Sequence, residues 1–564
     1  MSSSWSHIVV GGGSAGSVMA ARLSEVSANR VLLLEAGPDT PPGAEPAAVL
    51  DSYPGSAYLD ARFLWNDRRV TTAPLGNDAP GTALPLKRYE QARVLGGGSS
   101  INGQMANRGL PWDYERWESR GATGWGWDDV LPYFRKLETD LDFGGPLHGD
   151  SGPIPIRRVP RSQWPLQADA FANAFADAGM PWLEDQNAEF GDGHFPITIS
   201  NRDDRRASAA MSYLTAQVRA RPNLSIRTGV AVDSLVFEGR QVTGVRIGRE
   251  TISAGTVVLS TGALITPEIL LRHGIGPAAE LSALGIPVLQ DSPGVGHGLT
   301  DHPSVAIASF LAPRARLGRM RRHILVGARF SSDPARFPPG DMMAIVSTKA
   351  AWHAVGERLG TVAFWINSPA SEQGRVRLAS GDPRAAARVD FNLLSDRADV
   401  ERLMNAFRRI AAIHASPWLD GVISDTFPAS YSEKVRQIGS INLKNRILTR
   451  IAALALDAPA PIRRKFIETF VMEGAAIADL LADDALLEAF VRQAVAGVWH
   501  ASCSCRMGAD DNRMAPLDNR GRVKGIAGLR VADASAFPAI PSANTNLATI
   551  MLAEKIADDL RRTD

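Results

Sequence analysis

The first apolar cluster, Ile8-Val9-Val10, is a short run closed by glycine and predicts a buried strand. It passes into Gly11-x-Gly13-x-x-Gly16 and then into an Ala-rich helical pattern ending near Arg22. A second apolar run over residues 31–34 ends on Glu35. Strand, helix and strand in this order predict a parallel sheet with helices on both faces. Residues 39–85, rich in Pro and Gly, sustain no period and read as excursion loops over the surface or a pocket. From Asn223 apolar and polar residues alternate through short runs broken at places such as Glu238-Gly239. This predicts a β-meander or three-stranded antiparallel layer, with a return to the main sheet at residues 257–260. Residues 302–489 mix strand patterns (361–367, 375–378) with amphipathic helices (399–414, 464–481), as an inserted α+β domain would. Within them, residues 434–489 are largely helical and carry basic clusters from Arg446 to Arg450 and at Arg463-Arg464-Lys465. Packing on its own domain is the expectation there, ahead of a partner or membrane-surface role. A strand over 529–531 and a helix over 546–561 close the chain.

At 564 residues the chain exceeds one hydrophobic core, so two domains are expected. Lys and Arg number 61 against 60 Asp and Glu, a net charge of +1 that creates no field for nucleic acid or anionic lipid. Two cysteines, Cys503 and Cys505, exclude a disulfide framework and fit a reducing compartment. The first strand begins too early to leave room for a secretory signal, and the expected location is cytoplasmic. Three uncharged stretches, residues 1–21, 251–267 and 534–553, are each broken by Gly, Ser, Thr, Asn or Pro, so no membrane span is expected.

The glycines carry the first chemistry. Gly11 permits a tight turn, Gly13 lets backbone approach a pyrophosphate, and Gly16 lets helix and strand pack closely. Glu35 follows about 20 residues on, where an acid binds ribose hydroxyls. A ligand-free glycine turn is the weaker alternative in this strand–helix–strand setting. A second run, Arg93-Val94-Leu95-Gly96-Gly97-Gly98-Ser99-Ser100-Ile101-Asn102-Gly103, can line up N–H groups against a phosphate or flavin edge without Cβ obstruction. Its flanking apolar residues argue against a flexible linker.

Residues 92–109, ARVLGGGSSINGQMANRG, resemble the first signature of the glucose–methanol–choline (GMC) oxidoreductases, FAD enzymes that oxidise alcohols. Residues 262–276 resemble the second, with His273 where Ser is usual; a capping role is expected for it. Gly124-Trp125-Gly126-Trp127, Pro132-Tyr133-Phe134 and Asp301-His302-Pro303 extend the resemblance, with Gly298 where Asn is frequent. Residues 498–508 resemble the catalytic-histidine segment and Pro541-Ser542-Ala543-Asn544-Thr545-Asn546 its partner segment, which implies that His500 and Asn544 face the flavin. The chemistry agrees: imidazole accepts a proton near neutral pH, and a carboxamide orients the substrate oxygen.

The resemblance implies an α/β fold, with a Rossmann-like FAD-binding domain (residues 1–155, 205–300 and 490–564) and an inserted α+β substrate domain (156–204 and 301–489). FAD would be held by Gly11, Gly13, Ser14, Ala15, Gly16, Glu35, Ala36, Arg93, Gly97, Gly98, Ser99, Asn102, Gly103, Val232, Asp533, Ala534, Asn544 and Thr545. Asp533 would meet the pyrophosphate and ribityl chain, and Val232 the adenine. Met105, Phe364, Trp365 and Trp499 would form the substrate wall. Segments around Tyr89-Glu90-Gln91, Asn107 to Pro111, Gly152 to Ile156, Phe364-Trp365 and Trp499 to Ser502 resemble the oxidases of furanic and aryl alcohols. That implies a small primary alcohol as substrate and O2 as electron acceptor. Choline-like or aliphatic alcohol dehydrogenation with another acceptor is the nearer alternative; no carboxylate is evident beside the aromatic wall, which argues against a quaternary amine. A non-redox hydroxynitrile lyase and a non-catalytic flavoprotein are more distant. No metal is expected: Cys503 and Cys505 read as buried small residues, and His297 and His302 lack further ligands.

Overall fold

The computed structural model describes residues 4–73 and 86–563, so part of the excursion expected over 39–85 lies outside the described residues. Two large sheets organise the chain. In the first, Leu224–Thr228, Val31–Glu35, Trp5–Val10 and Glu250–Leu259 run parallel side by side, and Leu529–Val531 joins against Glu250–Leu259. Val31–Glu35 is buried along its whole length, as a sheet covered on both faces requires. The expected antiparallel layer consists of Ser234–Glu238, Gln241–Ile247 and the first part of Glu250–Leu259. The return to the main sheet happens inside that last strand: residues 250–253 pair antiparallel with 244–247, and residues 254–259 parallel with 5–10. Leu224–Thr228 lies outside the layer, on the far edge beside Val31–Glu35. Alternation marks a half-exposed strand without naming its neighbour.

Helix Ser14–Leu23 packs on the last helix, Thr545–Thr563. Buried Glu554 accepts from Arg22 at 2.7 Å, Lys136 at 3.0 Å and the Tyr213 hydroxyl at 2.7 Å. Ser14 Oγ donates to Asn546 Oδ1 at 2.7 Å. Both ends of the chain are therefore clamped together where the first glycine turn opens.

The second sheet runs Ile423–Ala429, Pro303–Leu311, Leu359–Ile366, Met342–Ser347, Ile324–Phe330, Gly193–Pro196, antiparallel throughout. Helix Arg397–His414 buries Val400, Leu403, Phe407 and Ile410 against one face. Alternation in Leu359–Ile366 then sends Phe364 towards that helix, with ring centroids 6.4 Å from Phe407, and turns Thr361, Ala363 and Trp365 to a cavity on the other face. The single helix expected over 464–481 is two: Ala460–Phe466 runs into a wide turn, Ile467–Val471, and Ile477–Ala482 begins after a break at Gly474, whose φ of +95° no helix accommodates.

A buried ionic network braces the loop that leads to the cavity. Arg108 pairs with Glu138 at 2.6 Å, and Arg158 with Asp140 and Asp185, both at 2.6 Å. His148 sits among the same acids, Nε2 2.8 Å from Asp185 and Nδ1 3.1 Å from Asp140. Glu138, Asp140 and His148 stand close enough to hold a metal ion, but two guanidiniums and an imidazole already serve three carboxylates. Burial alone would lower the His148 pKa; hydrogen bonds to Asp140, Asp185 and Glu138 outweigh it and hold the value up at about 10. A group raised in the folded state contributes stability that is complete below its ordinary 6.5 and lost as pH rises through about 10. The melting temperature is expected to fall across that alkaline window. His148→Gln should melt lower at neutral pH and lack the His148 part of the decline, which melting curves of both proteins across pH will check.

Candidate active site

A cavity of about 900 Å³ lies between the two sheets, near the top of the roughly 300–1,000 Å³ range of small-molecule and cofactor sites. At one end the two glycine motifs abut. Gly96 N donates to Gly12 O at 2.7 Å, and a Cβ on Gly97 would stand 2.6 Å from Gly13 Cα. Gly16 lies behind this wall: a Cβ there would meet Gly11 O at 1.8 Å. Gly11, Gly13, Ser14, Ala15, Glu35, Ala36, Gly97, Gly98, Asn102, Gly103, Val232, Asp533, Ala534 and Thr545 all line the cavity. Helix Ser14–Leu23 has no side-chain cap, so its first N–H groups are open to an anion. Glu35 accepts from Gly12 N at 2.8 Å and Gly37 N at 2.7 Å, which orients its carboxylate on the wall.

Several expected contacts fall elsewhere. Arg93 is exposed, its guanidinium 5.1 Å from the Trp65 ring, and its N–H donates to Phe63 O at 2.7 Å. Ser99 Oγ donates to Gly96 O at 2.6 Å and accepts from Ala209 N at 2.9 Å, so its side chain is spent on the turn. Phe364 belongs to the core behind the second sheet. The Asp533 carboxylate accepts from Ser535 N at 2.8 Å, Ser535 Oγ at 2.5 Å, Gly262 N at 2.9 Å and Thr266 Oγ1 at 2.6 Å. It ties two turns together and leaves backbone, rather than a free carboxylate, for a ligand. His273 caps helix Thr266–Arg272: Nδ1 bonds Ile269 O at 2.7 Å and Nε2 accepts from Leu235 N at 2.9 Å.

At the other end His500 and Asn544 meet, Nε2 to Nδ2 at 3.0 Å, although 44 residues separate them. His302 completes the group, its Nδ1 2.8 Å from His500 Nδ1 and its Nε2 3.1 Å from the Pro541 carbonyl. A carbonyl oxygen only accepts, so His302 Nε2 carries the proton and His302 Nδ1 is an acceptor. His500 Nδ1 must then donate, and His500 Nε2 keeps a lone pair, towards which Asn544 Nδ2 donates. Burial keeps both rings neutral: it brings His302 down to about 3, and with His302 beside it, His500 well below 6.5. Asn544 lines the same cavity, and its Oδ1 is buried without a hydrogen-bond partner.

The backbone around this group is over-determined. Asp301 Oδ1 accepts from His302 N at 2.8 Å, His500 N at 2.9 Å and Val498 N at 3.2 Å. Thr300 and Ser502 exchange two N–H···O bonds of 3.0 Å, which aligns the two histidines. Trp499 and Cys503 take φ of +63° and +69°, strained values for non-glycine residues that these clamps maintain. Asp113 holds the other strand of the site, accepting from Ser542 N and Ser542 Oγ at 2.8 Å each, while Asn107 Oδ1 accepts from Asn544 N at 3.2 Å.

Met105, Trp365 and Trp499 line the same end, joined by Tyr58 and Tyr431, whose rings stand edge-on to Trp499 at 5.3 Å. A carboxylate does stand beside this aromatic wall: Glu90 Oε2 accepts from Trp499 Nε1 at 3.1 Å. Arg436, 3.5 Å away, offsets its charge. Cys503 and Cys505 are fully buried and their thiols are pushed up by burial, away from thiolate chemistry. Sequence reasoning missed Asp301, Asn107, Glu90 and Asp113 as site-forming residues. His302 carried a signal in Asp301-His302-Pro303, but nothing in the sequence says which nitrogen meets His500. Glycine walls without Cβ atoms, an uncapped helix start and a cavity of about 900 Å³ fit a dinucleotide cofactor such as FAD.

Residues 5–304 and 369–553 match the family models described as GMC oxidoreductase. The chain is 44% identical to a 5-(hydroxymethyl)furfural oxidase of Methylovorus sp., over 98% of both proteins. It is 33% identical to an oxygen-dependent choline dehydrogenase of Burkholderia thailandensis, over 99% of this chain and 93% of the relative. Among solved structures, pyridoxine 4-oxidase from Mesorbium loti superposes with a TM-score of 0.80 at 27% identity, covering 99% of this chain and 100% of that one. A fungal aryl-alcohol oxidase shares the fold at a TM-score of 0.73 and 19% identity, over 100% and 99% of the two chains. Among the described residues no helix is long and apolar enough to cross a membrane.

Proposed function

The chain belongs to the GMC oxidoreductase family, FAD-dependent enzymes acting on CH–OH donors, and on that premise we propose that it oxidises an aromatic or furanic primary alcohol to the aldehyde, with O2 reduced to H2O2. The observation that carries the proposal is the lone pair on His500 Nε2, fixed by the His302–Pro541 relay at the wall of a ligand-sized space and covered there by the Asn544 amide at 3.0 Å until an alcohol takes its place. Bound FAD supplies the hydride acceptor. The work of the protein is then to take the alcohol proton, fix the oxygen and exclude water. An arriving hydroxyl displaces the Asn544 N–H from His500 Nε2 and gives that nitrogen its proton, and the resulting imidazolium keeps its Nδ1 proton on His302. Asn544, freed from His500 Nε2, donates an N–H to the developing alkoxide. Trp365, Trp499, Tyr58 and Met105 present flat, polarisable walls that suit a ring rather than an alkyl chain. Glu90, offset by Arg436, gives a quaternary amine no free counter-charge. The relative named for 5-(hydroxymethyl)furfural supports the furanic choice.

The test is a peroxide-release screen across benzylic, furanic, pyridine and aliphatic alcohols, with aldehyde assayed alongside. One peroxide per aldehyde is expected, highest for the furanic and benzylic substrates. Substrate that bleaches the flavin anaerobically but yields no peroxide in air would place the chain among the dehydrogenases. Absence of bleaching by every alcohol would exclude redox turnover.

A further inference from the structure

Helix Leu443–Leu456 turns its more apolar face away from the protein. Thr449, Ala453 and Leu456 are buried against the body, while Leu443, Ile447, Ile451 and Leu454 are 71, 50, 61 and 70% exposed. Steps of four, four and three residues place these four side chains on one face, and 14 residues make a stripe about 20 Å long. Isolated exposed leucines are ordinary on a protein surface; a continuous stripe is not. The segments beside it continue towards the cavity: Val435, Ile438 and Phe470 are exposed and also line its mouth.

Charge selects the occupant. Lys444, Arg446 and Arg450 lie on the same helix with no acid between residues 440 and 456. None of the three forms an ion pair among the described residues, whereas nearby Arg436 and Arg463 pair with Glu90 and Asp425. A second copy docked about a twofold axis would set these cations against themselves. We propose that this face docks on the surface of an anionic phospholipid bilayer, the Leu–Ile stripe at the acyl boundary and the three cations among the headgroups, with the cavity mouth turned to the membrane.

The FAD-loaded full-length protein is mixed with vesicles of phosphatidylglycerol in phosphatidylcholine, or of phosphatidylcholine alone, and sedimented. Co-sedimentation with the anionic vesicles only is expected, weakening as salt is raised. Combined Ile451→Glu and Leu454→Glu should abolish it. Combined Lys444→Ser, Arg446→Ser and Arg450→Ser should lower the partition coefficient on the order of a hundredfold. All variants should keep the flavin spectrum and the turnover of a water-soluble alcohol, since none of the replaced residues lines the cavity. No binding to anionic vesicles, binding that survives the paired glutamates, or a dimer that the same glutamates split in light scattering would overturn the proposal.

Discussion

His500→Ala is expected to lower kcat by about 10²–10⁴, the range a positioned general base supplies, while the purified protein stays yellow. The two halves of that expectation come from different ends of one cavity. On the proposed reading, proton acceptance depends on the His500 ring and its bond to His302, whereas the cofactor's phosphates would lie against Gly11, Gly13 and the open start of helix Ser14–Leu23. The backbone of residue 500 remains tied to Asp301, so deleting the ring should not collapse the loop. Steady-state turnover and the flavin-to-protein absorbance ratio, measured on one preparation, separate loss of chemistry from loss of cofactor.

Gly16→Val is expected to give protein without flavin and without activity. Its Cβ would stand 1.8 Å from Gly11 O and 3.0 Å from Gly11 C. Both are backbone atoms of the turn, so no side-chain rotation relieves the clash, and helix Ser14–Leu23 must lift from the sheet. Overpacking by side-chain atoms alone costs about 1–3 kcal/mol, and displacing a helix costs more. That helix also presents its N–H groups to the cavity and holds Asn546 through Ser14, so one substitution disturbs cofactor binding and chain closure together. Gly144→Ala, with no atom within 4 Å of the new Cβ, is the control and should remain yellow and active. Absorbance spectra and melting curves of the two variants check the contrast.

Much of the site was legible because its chemistry demands residues of unusual kind in local runs. Gly11, Gly16 and Gly97 stand out since only glycine allows backbone this close to a neighbouring turn. The order of strands and helices was readable from apolar runs: burial on both faces of Val31–Glu35 leaves no polar position before Glu35 at its end. Which side a strand residue takes was harder. Phe364 and Trp365 are adjacent apolar rings, and only the position of helix Arg397–His414 sends one to the core and the other to the cavity. Long-range partners had no signature, because Asp301 holding His500 and Asp113 holding Ser542 are contacts between segments set side by side by the two sheets. Helix Leu443–Leu456 packs on its own domain through Thr449, Ala453 and Leu456, but composition alone did not tell that Leu443, Ile447, Ile451 and Leu454 would face outward. A net charge of +1 likewise conceals the local cluster of Lys444, Arg446 and Arg450.

The central claim is that a neutral His500, kept in one tautomer by His302, takes the alcohol proton. It is tested most directly by the rate of flavin bleaching when the oxidised protein is mixed anaerobically with a benzylic or furanic primary alcohol, followed from about pH 5 to 9. Because burial and His302 hold the imidazole well below 6.5, the rate should be level from neutral pH upward and decline only far on the acid side. A rate that climbs about tenfold per pH unit through 7 to 8 would reveal a base that is still protonated there, and would contradict the assignment of His500.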